Sequence, residues 1–252
     1  MPAASRRHGG RHELGQNFLV DARVTRRIAA LVPPGPEPVL ELGAGDGALT
    51  RRLADDGRAV TAVELDPGRA AALRRTLGGR VRVEQADMLA FRFDGAHHVV
   101  SNVPFAITTP LLRHLLDQRG WRSAVLLLQW EVARKRAAVG GTTLLTASWW
   151  PWYEFALAGR VPSAAFRPRP AVDGGLLVVR RREFPLVPER ERGAYRALVR
   201  AAFGGDRVAA ALRSRGPRIR GLVAAAGLGS ARPRDLTADQ WAALHRRANR
   251  SR

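Results

Sequence analysis

The chain has 252 residues, of which 46% are hydrophobic and 25% are charged, and this composition is typical of a globular protein. Its 42 basic and 22 acidic residues give a formal net charge of +20, and Lys135 is the only lysine. An arginine fork binds two phosphate oxygens at once, so the charge favours a nucleic acid partner; a membrane surface is the weaker alternative because no lipidation signal is visible. The lack of cysteine excludes disulfides, thiolate zinc sites and a cysteine nucleophile.

The first part of the sequence carries no recognisable targeting signal. Residues 1–13 are mostly Arg, His, Gly and small residues without periodicity, and they are predicted to be a flexible basic arm. Charged residues interrupt the apolar run that follows, so no secretory signal is predicted, and no run approaches the ~20 apolar residues of a membrane span. No acidic ligand accompanies His8 and His12 of the arm, so no metal is expected there. We therefore expect a cytoplasmic protein without a membrane partner.

Predicted helices and strands alternate along the first two thirds of the chain. Asp21 begins a helix whose apolar residues recur at helical spacing. Five strands are predicted at residues 38–42, 59–63, 81–83, 97–101 and 124–129. Such alternation predicts an α/β fold with a parallel sheet and right-handed crossovers. Two further strands, at 149–158 and 176–179, have no long helix between them and predict a hairpin-like antiparallel addition at one edge.

The last part of the chain reads as helical and basic. Helices are predicted at 188–203, 207–213 and 219–226, and Thr237 to Gln240 form a capping box at the start of the last helix. We predict two domains, a first over 14–183 and a small basic helical one over 184–252. A domain of this size buries little core alone, so we expect it to pack against the first domain.

Glycines follow the first predicted strand, and an acid ends the second. Gly43 and Gly45 would let the backbone approach a ligand, while Glu64 is placed to chelate a ribose diol. Glu41 and Asp46 would repel the pyrophosphate of a nicotinamide cofactor. A ligand with a sulfonium and an amino acid tolerates these carboxylates, so S-adenosylmethionine is favoured.

The third predicted strand leads to Asp87 and Met88. The Asp87 carboxylate is placed to accept a hydrogen bond from an adenine amino group, with Met88 against the ring. The alternative for all these strand ends is a glycine turn followed by helix-capping acids. Three suitable strand ends in sequence order make that alternative weak.

The fourth predicted strand leads to Asn102, Val103, Pro104 and Phe105. An amide offers both donors and acceptors, and a Phe ring offers a face on which a base can stack. The tetrapeptide therefore indicates a site that binds a planar amino-bearing ring beyond the strand. A proline turn with a hydrophobic plug is the alternative.

These motifs together resemble the rRNA adenine N6-methyltransferases, which include the Erm macrolide-resistance enzymes and the 16S rRNA dimethyladenosine transferases. The segments that carry the resemblance are 15–19 (GQNFL), 41–47 (ELGAGDG), Glu64, Asp87, 102–105 (NVPF) and 161–173 (VPSAAFRPRPAVD). Residues 129–137 (QWEVARKRA), 140–142 (GGT) and 150–155 (WPWYEF) resemble Erm proteins in particular. The match spans about residues 12 to 180, and it departs from the common pattern at Phe105, where Tyr is usual.

The resemblance implies a Rossmann-like class I methyltransferase sheet of seven strands, mostly parallel with one antiparallel. It implies that 14–183 is the S-adenosylmethionine-binding catalytic domain and that the helical domain over 184–252 binds RNA. It implies methyl transfer from S-adenosylmethionine, with S-adenosylhomocysteine as product, to the exocyclic N6 of an adenine at the macrolide-binding site of 23S rRNA. That methylation would confer resistance to macrolides, lincosamides and streptogramin B. The implied cofactor-binding residues are Gln16, Asn17, Leu19, Glu41, Gly43, Gly45, Glu64, Asp87, Met88 and Asn102.

Catalysis would take place at residues 102–105. Hydrogen bonds from the adenine amino group to the Asn102 side chain and the Val103 carbonyl would aim the nitrogen lone pair, while Phe105 stacks on the base. Phe166 would close the other side of the base, with a plain core position as the alternative. Arg113, Arg134, Lys135 and Arg136 are candidate rRNA phosphate contacts, with solvated helix faces as the alternative.

Two other functions stay open at this point. A 16S rRNA dimethyladenosine transferase is the nearest, although segments 129–137 and 150–155 argue against it. A non-catalytic rRNA-binding or assembly factor on the same fold is the second. We expect a monomer without a bound metal, acting on protein-free or precursor 23S rRNA.

Overall fold

The computed structural model describes residues 17–92, 95–212, 221 and 223–249. Its strands are β1 Phe18–Leu19, β2 Val39–Leu42, β3 Val60–Glu64, β4 Val81–Gln85, β5 His98–Asn102, β6 Ser123–Gln129, β7 Tyr153–Val161, β8 Phe166–Arg167 and β9 Gly174–Arg181. Its helices of α type are α1 Ala22–Leu31, α2 Ala48–Asp55, α3 Pro67–Leu77, α4 Thr108–Asp117, α5 Trp130–Arg136, α6 Leu144–Trp149, α7 Arg192–Ala202, α8 Val208–Ala211 and α9 Ala238–Asn249. The predicted basic arm and Gln16 lie outside the described residues.

Seven strands form one sheet in the order β4-β3-β2-β5-β6-β9-β7. The pairs from β4 to β6 are all parallel, whereas β9 runs antiparallel to both of its neighbours. The predicted sheet, mostly parallel with one antiparallel strand, is therefore confirmed. A second, two-stranded sheet joins β1 to β8 and was not predicted.

Local signals explain where the helices beside the site begin. The Asp21 carboxylate accepts a hydrogen bond from the Arg23 N–H and caps α1. Asp66 caps α3 in the same way through the Arg69 N–H, and Pro67 occupies the first helical position. Both caps follow strands or strand-like segments, so they fix where the chain turns from sheet to helix.

The strand predicted at 149–158 begins later than expected. Trp149 is the last residue of α6, and β7 begins at Tyr153. The Thr143 hydroxyl accepts a hydrogen bond from the Thr146 N–H and caps α6, which the sequence interpretation missed. A short buried helix and a buried strand have similar apolar composition, so hydrophobicity alone did not separate them.

The C-terminal helices share a hydrophobic core with the sheet. One buried cluster contains Leu126 of β6 together with Leu198 of α7 and Trp241 of α9. The Tyr195 hydroxyl donates to the Ala147 carbonyl at 2.8 Å, which joins α7 to α6. The helical region therefore packs against the sheet as expected, while the boundary between 183 and 184 stays a prediction. None of the described helices has the length and apolarity to cross a membrane.

Candidate active site

A cavity of about 420 Å³ lies at the carboxyl ends of β2, β3 and β5. Because β2 lies between β3 and β5, the order of the parallel strands reverses there, and open α/β sheets bind ligands at such a point. The predicted residues that line this cavity are Asn17, Leu19, Glu41, Gly43, Gly45, Glu64, Asp87, Met88, Asn102, Val103, Pro104 and Phe105. The fold thus brings together nearly all of the predicted cofactor and base-binding residues.

The glycine loop after β2 forms one wall of the cavity. Gly43 has a φ of +76°, and a Cβ at this position would lie 2.5 Å from the terminal methyl of Met88. Gly45 has a φ of +54°, and its N–H donates to the Glu64 carboxylate at 2.7 Å. Only glycine adopts such backbone geometry without strain, so the loop leaves room against Met88 and aims an amide at Glu64.

The Glu64 carboxylate is held in place by the backbone on both sides. Its second oxygen accepts a hydrogen bond from the Asp66 N–H at 2.9 Å, and the side chain is buried. Each carboxylate oxygen has a further lone pair, so a fixed Glu64 retains acceptor capacity for a pair of ribose hydroxyls.

Glu41 is buried in β2, where the Thr50 hydroxyl donates to its carboxylate at 2.5 Å. Burial and, to a smaller extent, the nearby Glu64 charge raise the pKa of Glu41 to about 8, although the Thr50 hydrogen bond and the Arg51 charge lower it. At pH 7 the ligand-free protein therefore holds this carboxyl largely neutral. Of the two acids predicted to repel a pyrophosphate, Asp46 is then the charged one, and it is exposed in the glycine loop.

Apolar and polar groups occupy the far end of the cavity. Asp87 accepts a hydrogen bond from the Leu89 N–H at 2.8 Å through one carboxylate oxygen, which leaves the other oxygen for a ligand. Leu65 lines the same cavity and remains 45% exposed. Sequence reasoning missed Leu65 and Phe18, although both directly adjoin predicted site residues and are apolar.

Asn102 ends β5 and connects it to the first segment of the chain. Its side-chain Nδ2 donates to the Asn17 carbonyl at 2.8 Å, so Oδ1 is the remaining polar atom of the amide. The Val103 N–H donates to the Leu127 carbonyl, and the Ile107 N–H donates to the Pro104 carbonyl. The backbone is thereby fixed on both sides of Val103, and the half-buried Phe105 lines the cavity beside it.

Phe166 is not among the predicted residues that the fold brings to the cavity wall. Its side chain is completely buried and belongs to a core cluster with Leu127 and Leu176. The structure therefore places Phe166 at the core position that was the alternative to a contact with the base, and such a contact stays a prediction.

The four candidate rRNA contacts differ in their surroundings. Arg113 and Lys135 are exposed, and Arg134 is paired with Glu131 at 3.3 Å. The Arg136 guanidinium donates to the hydroxyls of Thr143 and Thr109, and burial lowers its pKa. Arg136 thus joins α5 to α4 and α6, and we no longer expect it to contact RNA.

The sheet order, the glycine loop and the strand-end acids define a class I S-adenosylmethionine-dependent methyltransferase. The residues fit this cofactor because the loop leaves room against Met88, and because the carboxyl groups of Asp46, Glu64 and Asp87 line the cavity beside the Arg51 guanidinium, which suits a ligand that carries both a cationic centre and a carboxylate. Residues 7–217 match the family profile of the ribosomal RNA adenine dimethylases. The chain belongs to this family and is an S-adenosylmethionine-dependent rRNA adenine N6-methyltransferase.

Individual relatives agree with this assignment. The mycinamicin-resistance protein MyrB of Micromonospora griseorubida is 56% identical over 248 residues, which cover 94% of this chain and 79% of that protein. An rRNA adenine N-6-methyltransferase of Corynebacterium diphtheriae is 48% identical over 196 residues, covering 77% and 78%. The crystal structure of the 23S rRNA methyltransferase ErmE matches with a TM-score of 0.83 at 33% identity, covering 92% of this chain and 99% of that one. The predicted family is confirmed.

Proposed function

We propose that this enzyme methylates the N6 of an adenine at the macrolide-binding site of 23S rRNA and thereby confers resistance to macrolides, lincosamides and streptogramin B. The names of two relatives support this choice, because MyrB is a mycinamicin-resistance protein and ErmE is a 23S rRNA methyltransferase. We further propose a cytoplasmic monomer without a metal that acts on protein-free or precursor rRNA.

The observation that carries the proposal is the anchored Asn102 amide. With Nδ2 engaged by the Asn17 carbonyl, Oδ1 accepts a hydrogen bond from the adenine amino group, and the Val103 carbonyl accepts the second. These two bonds draw the amino nitrogen away from planarity and aim its lone pair at the methyl donor. An adenine must leave its stack to reach this position, and Phe105 then supports it from one side.

Bound S-adenosylmethionine supplies the electrophilic methyl group, and the remaining task of the protein is to position the two reactants. Glu64 would hold the ribose, Asp87 with Met88 the adenine, and Asn17, Leu19, Gly43 and Gly45 the amino-acid end. The amino proton leaves to water once the new bond has formed, so no general base is assigned.

The surface charge supplies affinity for rRNA. Arg113 lies on α4, which follows β5 of the active site, and Arg134 and Lys135 lie on α5, which follows the neighbouring strand β6. Phosphate contacts of this kind make binding strongly dependent on salt. We therefore expect the KM for rRNA to rise steeply with salt while the Kd for the cofactor changes little.

Expression in a macrolide-susceptible bacterium tests the proposal. The wild-type chain should raise the inhibitory concentration of a macrolide, a lincosamide and a streptogramin B, and Asn102→Ala should abolish the effect. Phe105→Tyr keeps a stacking ring and should retain resistance, while Phe105→Leu should lose most of it. A wild-type protein that is produced and folded but gives no resistance would favour the 16S enzyme or the non-catalytic factor.

A further inference from the structure

Residues 17–20, called here the N-terminal strap, lie across the cofactor cavity. All four strap residues line the cavity. β1 pairs with β8, and the Val20 N–H donates to the Ala165 carbonyl at 2.9 Å, so one edge of the strap is fixed. The strap also contacts the catalytic amide, because its Asn17 carbonyl accepts the hydrogen bond from Asn102.

The other side of the strap is held through Phe18. A Cβ on Gly45 would lie 3.1 Å from the Phe18 ring, so this ring covers the glycine loop closely. The Arg69 guanidinium lies over the same ring, with its Cζ 4.6 Å from the centroid. Arg69 Nε also lies 3.4 Å from the Asp46 carboxylate of the glycine loop.

The position of Arg69 is itself set by the cofactor site. The backbone N–H of Arg69 donates to the Asp66 carboxylate at 2.8 Å, and the backbone N–H of Asp66 donates to the Glu64 carboxylate. Arg69 therefore lies on the first turn of α3 and is connected through Asp66 to Glu64, the residue that would bind the ribose. Its side chain reaches the strap and the glycine loop at once, although it does not line the cavity.

We propose that Arg69 is a positioning residue that holds the N-terminal strap closed over the bound cofactor. The stacked guanidinium keeps Phe18 on the glycine loop, and the ion pair with Asp46 keeps the guanidinium in place. Since the strap also carries the carbonyl that anchors Asn102, its closure prepares the amide that receives the adenine. One arginine thus serves both cofactor retention and the geometry of the acceptor site.

Cofactor binding to the purified full chain provides the first test. Arg69→Ala should weaken binding of S-adenosylmethionine, measured by calorimetry without RNA, by about three- to ten-fold. Arg69→Lys keeps a cation near the ring and should recover part of the loss. Arg80→Ala, which removes another arginine paired with a carboxylate, is the matched control and should bind as the wild type does.

A double-mutant cycle separates the stacked pair from a general structural effect. Phe18→Leu keeps an apolar side chain on Gly45 but removes the aromatic ring, so it should weaken binding by a similar factor. Combined with Arg69→Ala, it should add little further loss, because the two changes remove the same contact. Additive losses would contradict the proposal, as would an unchanged Kd in either single variant.

Hydrogen exchange gives a readout that needs no cofactor. In the ligand-free protein, Arg69→Ala should speed the exchange of the amides of residues 17–20, and Arg80→Ala should not. Equal exchange in the two variants would overturn the proposal. If Arg69→Ala fails to fold, Phe18→Leu is measured alone by both methods. None of these measurements depends on which rRNA is the substrate, so their outcome is separate from that of the proposed function.

Discussion

The buried Glu41 makes a specific prediction about stability and pH. Its carboxyl has an ordinary pKa of 4.5, and burial raises that pKa to about 8 in the folded chain. Between these values the folded state holds a proton that the unfolded state has lost, so the free energy of unfolding falls as pH rises through this window. The slope is about 1.4 kcal/mol per pH unit, which gives an upper limit of about 4 kcal/mol lost by about pH 7.5.

Glu41→Gln removes this loss because the amide stays neutral at every pH. The amide oxygen still accepts the Thr50 hydroxyl bond that the carboxylate accepts in the wild type. Relative to the wild type, the ligand-free variant should therefore gain about 2–4 kcal/mol in the free energy of unfolding between about pH 5 and about pH 7.5. Urea unfolding of both proteins at the two pH values measures this difference, and any pH-independent effect of the amide cancels. A variant whose stability relative to wild type is the same at both pH values would refute the reasoning.

Two further predictions concern the cavity and the core. Gly43→Ala should weaken S-adenosylmethionine binding by about ten-fold in calorimetry. The backbone φ of +76° strains an alanine, and the new Cβ would collide with the terminal methyl of Met88. Unchanged binding would contradict the assigned role of the loop. Phe166→Ala should lower the free energy of unfolding by about 3–5 kcal/mol, as for a core aromatic residue. Phe166→Leu should fold and keep kcat within a few-fold, whereas a loss of about 100-fold in kcat would show that the ring reaches the adenine after all.

The sheet could be predicted well because each of its parallel strands carries a strong local signal. The buried run of β2 is followed by glycines, and Asp66 with Pro67 marks the start of α3. The order of β9 and β7 depends on contacts between distant segments, and the sequence indicated only an antiparallel addition. The small sheet of β1 and β8 has two residues in each strand, too few for a pattern of alternation.

The site could be predicted to a similar degree, and its failures have physical causes. Strand-end residues were placed correctly because parallel strands bring their carboxyl ends to one edge of a sheet. The two interpretations of Phe166 could not be separated, because a buried aromatic and a base-stacking aromatic look alike in sequence. The bonds of Arg136 to Thr109 and Thr143 could not be predicted either, because they depend on how α4 and α6 pack.

Methyl transfer to isolated rRNA tests the central claim most directly. The enzyme is incubated with tritiated S-adenosylmethionine and with protein-free 23S or 16S rRNA, and the labelled nucleosides are then identified. The account predicts labelled N6-methyladenosine or N6,N6-dimethyladenosine from 23S rRNA only, and no label with Asn102→Ala. Label in 16S rRNA alone would contradict the proposed substrate, and full activity of Asn102→Ala would contradict the proposed site.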